Sequence, residues 1–303
     1  MLSPLLRAFF ALNSHSKEDQ EASVETGLQL LRDLGPQLKI EGWQAIFRGV
    51  ISPFIQTAFA LADQANKSAP QSKDLNYSEL VKSTLREVYI MLTEEKGNFD
   101  IIREFMRTLE QQIVDGEKQL IELYFGMVFD AIEHKPLTQL SGHMAELLMT
   151  TIRKSIPYSI FDNALTKLID QRNLRSDSKL DLDFSEIDTG FNVSNTIYRC
   201  SVLLEAVKVT NKIVSEHLAH IPAEKLDSLV QVVQEAHAFC VKFNQDLLLR
   251  YLLCKTGYKS INPNIPSVYG IERFSADIIL KYSNHQLAAE TVTTEQRTET
   301  SLK

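Results

Sequence analysis

The sequence predicts an all-α protein, an irregular HEAT/armadillo-like helical-hairpin solenoid, and three observations carry that expectation. Apolar residues recur at three- and four-residue spacing along most of the 303 residues. Glycine and proline are scarce, at 11 and 9, and many of them fall at the ends of periodic segments. No segment alternates apolar and polar residues between hairpin turn signals, as strands would.

Taken in order, the opening MLSPLLRAFFALN is a short amphipathic helix. It differs from a signal peptide in its brief apolar run, the interruption by Arg7 and the lack of a small-residue cleavage site. The first strong hairpin spans Lys17 to about Gln64. Val24, Leu28 and Leu31 share one face, and Gly35-Pro36 stops that helix, proline lacking a donor and glycine accepting a left-handed cap. Trp43, Ile46, Phe47, Val50, Ile51 and Phe54 form the next stripe, with Pro53 predicted to kink it.

The polar stretch 65–76 reads as a loop between hairpins. A helix over Tyr77 to Glu95 buries Leu80, Val81, Leu85, Val88, Tyr89 and Leu92. Asn98 or Asp100 can cap the following one, which buries Ile101, Ile102, Phe105, Leu109 and Ile113. After Gly116 the stripe Leu120, Ile121, Tyr124, Phe125, Val128 and Ile132 defines another helix. After Pro136 the stripe Leu140, Met144, Leu147, Leu148, Thr151 and Ile152 defines the next, and a shorter helix covers about Ser159 to Arg172.

Residues 173–194 lack a helical period and are rich in Asp and Ser, so they read as an acidic loop between two helical segments. The helix from about Asn195 to Leu218 is apolar on more than one face and should have neighbours on two sides. Pro222 suits the start of the next helix, whose stripe is Leu226, Leu229, Val230, Val233, His237 and Cys240. A short helix at Leu247 to Leu253, a turn-rich connection at 257–268 and a last helix from Ser267 to Tyr282 follow. The organisation expected is an N-terminal helical-repeat segment at 1–172, the acidic loop at 173–194, a C-terminal helical-repeat segment at 195–283 and a disordered polar tail at 284–303.

The net charge of -7 weighs against nucleic-acid binding, which needs clustered Lys and Arg. Cys200, Cys240 and Cys254 are too few and too scattered for a disulfide framework, which points to a reducing compartment. No apolar stretch reads as long enough to span a bilayer, since even LLLRYLLC is broken by Arg250.

Phosphate-binding, zinc-protease and nucleophile-elbow motifs are missing from the sequence. His217 and His220 sit three apart, a spacing that can place two metal ligands together. The simpler reading is polar residues at a helix end, because spacing marks no third ligand. His237 lies on an apolar stripe and reads as a buried, hydrogen-bonded histidine. Asp177, Asp181, Asp183, Glu186 and Asp188 lack the register of a calcium loop and read as solvated. Trp43, the single tryptophan, reads as core rather than as an anchor for a partner. No catalytic, cofactor-binding or metal-ligating residue is assigned.

Three stretches carry a family resemblance. SVETGLQLLRDLGPQLKIEGWQAIFRGVISPFIQT at 23–57 resembles the tryptophan-led hairpin in the downstream homology segments of the large, brefeldin-A-inhibited Arf guanine nucleotide-exchange factors. YRCSVLLEAVKVTNKIVSE at 198–216 resembles a helix near the C-terminal end of those proteins, through Arg199, Cys200, Leu204, Glu205 and Ile213. LDSLVQVVQEAHAFCVKFNQDLLLRYLLCKTGY at 226–258 resembles the next segment, through Leu229, His237, Phe239, Phe243, Asn244, Arg250, Leu253 and Gly257. Ala236 and Tyr258 depart from the family pattern, which has serine and phenylalanine there.

The resemblance implies a non-catalytic regulatory piece, because nothing here resembles the family's exchange domain. It implies partners among small GTPases of the Arf/Rab type or sister domains of the same exchange factor, and peripheral association with Golgi membranes. It implies a cytoplasmic protein acting at the trans-Golgi network, with no cofactor. The alternative is a HEAT-like scaffold or transport adaptor of another kind.

Overall fold

The computed structural model of the chain describes residues 2–12, 16–68, 76–94, 99–134, 139–158, 193–246 and 266–301, and among these no residue lies in a strand. The protein is all-α, as its periodicity predicts. Two packing units divide it, Met1–Val128 and Phe129–Lys303. The expected short helix at 159–172, the acidic run between 173 and 192, the helix at 247–253 and most of the connection after 257 lie outside the described residues.

The first unit holds α1 (Leu2–Phe9), α2 (Lys17–Leu34), α3 (Ile40–Ile46), α4 (Ser52–Ser68), α5 (Tyr77–Glu94), α6 (Phe99–Asp115) and the first half of α7 (Ile121–His134). Ser16 caps α2 by accepting from the Asp19 amide at 3.4 Å, and Glu18 and Asp19 place negative charge at the positive end of the helix. The hairpin logic appears in the packing. First helix lies on first helix, α2 against α5, and second on second, α3 against α6. This is the arrangement by which neighbouring hairpins share one core.

Two sequence expectations about turns are corrected. Gly35 ends α2 in right-handed geometry, with φ -54, not as a left-handed cap. The position needs glycine for space: a Cβ there would stand 2.7 Å from Trp43 Cζ2. The kink at Pro53 takes the form of a π-helical turn at Phe47–Ile51, closed by the Ser52 amide on the Phe47 carbonyl. The turn falls just before Pro53, which lacks an N–H and whose ring crowds the preceding turn.

Helix α4 runs on to Ser68, past the expected loop start at residue 65. The run Ile40–Gln64 is long and apolar enough by composition to cross a membrane, contrary to the sequence reading. Its apolar stripe is nevertheless the core of the first unit. Trp43, Ile51, Ile55 and Ala58 are at most 1% exposed, Trp43 stacks towards Phe47 at 5.5 Å, and Phe47 meets Phe105 at 5.4 Å. Leu6 and Phe10 are buried in the same core, with Phe10 edge-on to Phe54 at 5.3 Å.

The second unit holds the rest of α7, α8 (Gln139–Ser155), α9 (Val193–Glu216), α10 (Ala223–Gln245) and α11 (Pro266–Ser301). Helices α9 and α10 both pack against α8 and against α11, which stand between them. The two-sided apolar character of α9 therefore has its neighbours: Cys200, Val202, Leu203, Ala206, Val207, Ile213 and Val214 are all buried. Helix α8 belongs to this unit through those contacts, whereas the sequence grouped residues 1–172 together.

Helix α11 runs on to Ser301, beyond Tyr282 where the sequence placed the end of the last helix. No glycine or proline interrupts residues 283–301. Side chains fasten its middle: Lys281 Nζ donates to Asp277 Oδ2 at 2.6 Å, to Ser215 Oγ at 2.7 Å and to Asn211 Oδ1 at 3.1 Å, while the Tyr282 hydroxyl donates to Asp227 at 2.5 Å.

Candidate functional site

Of the residues singled out in the sequence, Trp43 and His220 have clear structural roles. Trp43 is 1% exposed and belongs to the core. His220 directs Nδ1 at the Ile132 carbonyl, 3.0 Å away, which fixes the proton on Nδ1 in the neutral ring because a carbonyl only accepts. His217 stacks edge-on with Phe129 at 5.4 Å and lies 5.0 Å from the His220 ring. Its Nε2 is 3.8 Å from Glu133 Oε1 and 3.9 Å from Glu216 Oε2, both beyond hydrogen-bond reach. Among the described residues no group of three or more His, Cys, Asp or Glu side chains is placed to hold a metal ion.

His237 corrects its expectation. It is half-buried rather than buried, and its Nδ1 has no hydrogen-bond partner among the described residues. Cys200 and Cys240 are buried free thiols, and burial pushes the Cys200 thiol up to about 12. Arg199 fastens the end of α8, donating through Nη2 to the Lys154 carbonyl and to the Ile156 carbonyl, the latter at 3.0 Å. A guanidinium there complements the negative end of the helix. Asn244 donates to Glu272 and so ties α10 to α11.

Among the described residues, one concave feature that the packing creates lies in the first unit. A groove of about 610 Å³ runs between α2 and α5. Val24, Leu28, Leu80 and Thr84 form its floor, and Glu21, Glu25, Glu79 and Glu87 stand on its two rims. One cation, Arg32, lines it. Arg32 Nη2 meets Glu87 Oε2 at 2.8 Å and its Nη1 meets Glu25 Oε1 at 3.3 Å, so a single guanidinium binds the two helices together. The Glu25 and Glu79 side chains are 65% and 59% exposed, so their carboxylates remain open to solvent. Lys82 pairs with Glu79 at 3.2 Å from outside the lining.

Sequence reasoning missed this groove. On α2 alone, Glu21 and Glu25 look like an ordinary solvated face, and so do Glu79 and Glu87 on α5. Only tertiary packing brings Arg32 and Glu87, 55 residues apart, into contact. The available signal was the repeated spacing: Glu21 and Glu25 are one step of four apart, and Glu79 and Glu87 two such steps.

Comparison with known proteins gives one family match, to the BIG2 C-terminal domain, over residues 201–302. No curated protein and no solved structure matches the chain. The match corrects the resemblance drawn from the sequence. It covers a third of the chain and lies entirely in the second unit, and the 23–57 hairpin on which that resemblance began is outside it. The assignment of the chain to the downstream region of the large Arf exchange factors is withdrawn in its favour. The described residues of the matched span form helices α9, α10 and α11 with the turn at 217–222, which excludes an immunoglobulin-like β-sandwich for them.

Proposed function

We propose that the chain is a non-catalytic interaction segment, a helical-hairpin scaffold that binds another protein through exposed helix faces. The observation that supports this reading is the α2–α5 groove, a concave surface with an apolar floor and charged rims on a rigid helical frame. Three of the singled-out polar residues hold helices together: Arg199 on α8, His220 on α7 and Asn244 on α11.

The first partners we propose to offer are small GTPases of the Arf and Rab type, with cytoplasmic residence and attachment to Golgi membranes as parts of the same expectation. The test uses the full chain, immobilised, with purified GTPases in GTP-bound and GDP-bound forms, and follows nucleotide release in parallel. Retention of one nucleotide form, with unchanged release, supports the proposal. Equal recovery of both forms removes nucleotide sensing, and accelerated release overturns the non-catalytic reading.

A further inference from the structure

The α2–α5 groove differs from an ordinary helix–helix seam in its charge. Four carboxylates line it against two cations, Arg32 between Glu25 and Glu87 and Lys82 on Glu79 from outside, so the rims stay net acidic in a chain whose net charge is -7. The carboxylates stand in two rows on facing helices. Residues four apart on a helix are separated by about 6 Å along its axis, so Glu79 and Glu87 span about 12 Å. A cationic helix laid along the groove repeats at that same interval, and lysine or arginine at positions i, i+4 and i+8 comes into register with the rows.

Size decides how deep such an occupant sits. Two turns of helix with side chains fill on the order of 1,000 Å³. The groove, at about 610 Å³, takes one face of that helix and leaves the other in solvent. Val24 and Leu28 are each only 3% exposed, so the floor's open apolar surface comes from half-buried Leu80 and the stems of the rim side chains. One apolar side chain over Leu80, flanked by cations, matches that surface.

On these grounds we infer that the groove between α2 and α5 docks a basic amphipathic helix of a partner protein, with its cations in register with Glu21 and Glu25 on one rim and Glu79 and Glu87 on the other. Arg32, held by Glu25 and Glu87, marks one end of the groove. This deepens the interaction reading above and rests on it.

The experiment measures binding of a fluorescein-labelled, alanine-based helical peptide to the full chain by anisotropy. The peptide carries lysines four residues apart on one face with a leucine between them. Its controls are a peptide of the same composition with the lysines spread around the helix, and one with glutamate for lysine. The register peptide should bind more tightly than the spread one, the acidic one should not bind, and added salt should weaken the complex. Glu25→Gln with Glu79→Gln should weaken binding about fivefold, as expected for two exposed charge pairs. Ser83→Arg places a cation in the groove at an exposed position and should weaken binding by about tenfold or more. Circular dichroism verifies that both variants keep their helix content.

No binding of the register peptide, equal binding of the spread peptide, or binding untouched by both variants overturns the inference. GTPase retention by the same preparations separates the two ideas. A chain that still retains a protein partner but ignores the peptide loses the groove and keeps the interaction function.

Discussion

Arg7 Nε donates to the carbonyl of Gly49 at 2.7 Å, and that carbonyl is the acceptor whose α-helical donor would be residue 53, a proline without an N–H. The first helix thus completes the hydrogen bonding of the helix it packs on. A Cβ at Gly49 would stand 2.8 Å from Arg7 Nη2, so the glycine keeps the guanidinium's path open. Arg7→Ala should destabilise the first unit by about 1 kcal/mol, and the loss should shrink when Pro53→Ala restores a backbone donor. A double-mutant cycle in urea measures the coupling, and strictly additive costs would contradict it.

Gly35 and Trp43 give a second prediction. The ring is buried and rigid, so a methyl group at residue 35 cannot be accommodated by a side-chain swing. Gly35→Ala should cost about 1–3 kcal/mol, against the usual gain from replacing a helical glycine. Trp43 is the only tryptophan, so its emission reports the site directly. The variant should shift that emission, and a stabilised protein with an unchanged spectrum would refute the packing account.

The fold was legible where periodicity is strong. The stripes of α5, α6, α7 and α8 were placed to within a residue or two, because burial on one face leaves a three-to-four spacing that few other structures produce. The two-sided apolarity of α9 correctly demanded two neighbours. Ends were harder to read. Gly35 looked like a left-handed cap because glycine commonly serves as one, while its actual constraint is a ring eight residues on. The polar residues after Tyr282 looked unstructured because they bury little, yet nothing among them stops a helix already anchored by Lys281 and Tyr282. The groove was invisible because its two rims belong to different hairpins, and solvated glutamates on one helix carry no sign of the helix beside them.

The thiols yield a third prediction. Burial pushes the Cys200 thiol up to about 12 and also raises that of Cys240. At pH 8 a thiol of pKa 12 is ionised to about one part in 10⁴, so reaction requires opening of the second unit. Cys200 and Cys240 should react with a disulfide reagent only in denaturant, as peptide mapping of labelled protein would reveal. Rapid native labelling at either residue would contradict their burial.

Acid and base should loosen the contact between α8 and α10. Lys225 Nζ lies 2.5 Å from Glu146 Oε1, and this hydrogen bond holds the Glu146 carboxyl below its ordinary 4.5 against the opposing effect of burial, with His143 assisting. The same bond raises Lys225 above its ordinary 10.5. Glu146, depressed on folding, contributes stability above its unfolded value and loses it as pH falls through the folded one. Lys225, raised on folding, contributes below its unfolded value and loses it as pH rises through the folded one. The Tm difference between wild type and Glu146→Gln should therefore form a plateau at neutral pH and shrink at both extremes. A difference undiminished well below the ordinary carboxyl range would contradict the assignment, because the unfolded carboxyl then binds its proton and the folded ion pair loses its advantage.

Hydrogen exchange on the full chain, alone and with the register peptide, tests the central claim most directly. The account predicts added protection in residues 17–34 and 76–94, the two helices that border the groove, with the second unit unchanged. Protection confined to the second unit, or no change in α2 and α5 while the peptide is demonstrably bound, would contradict it.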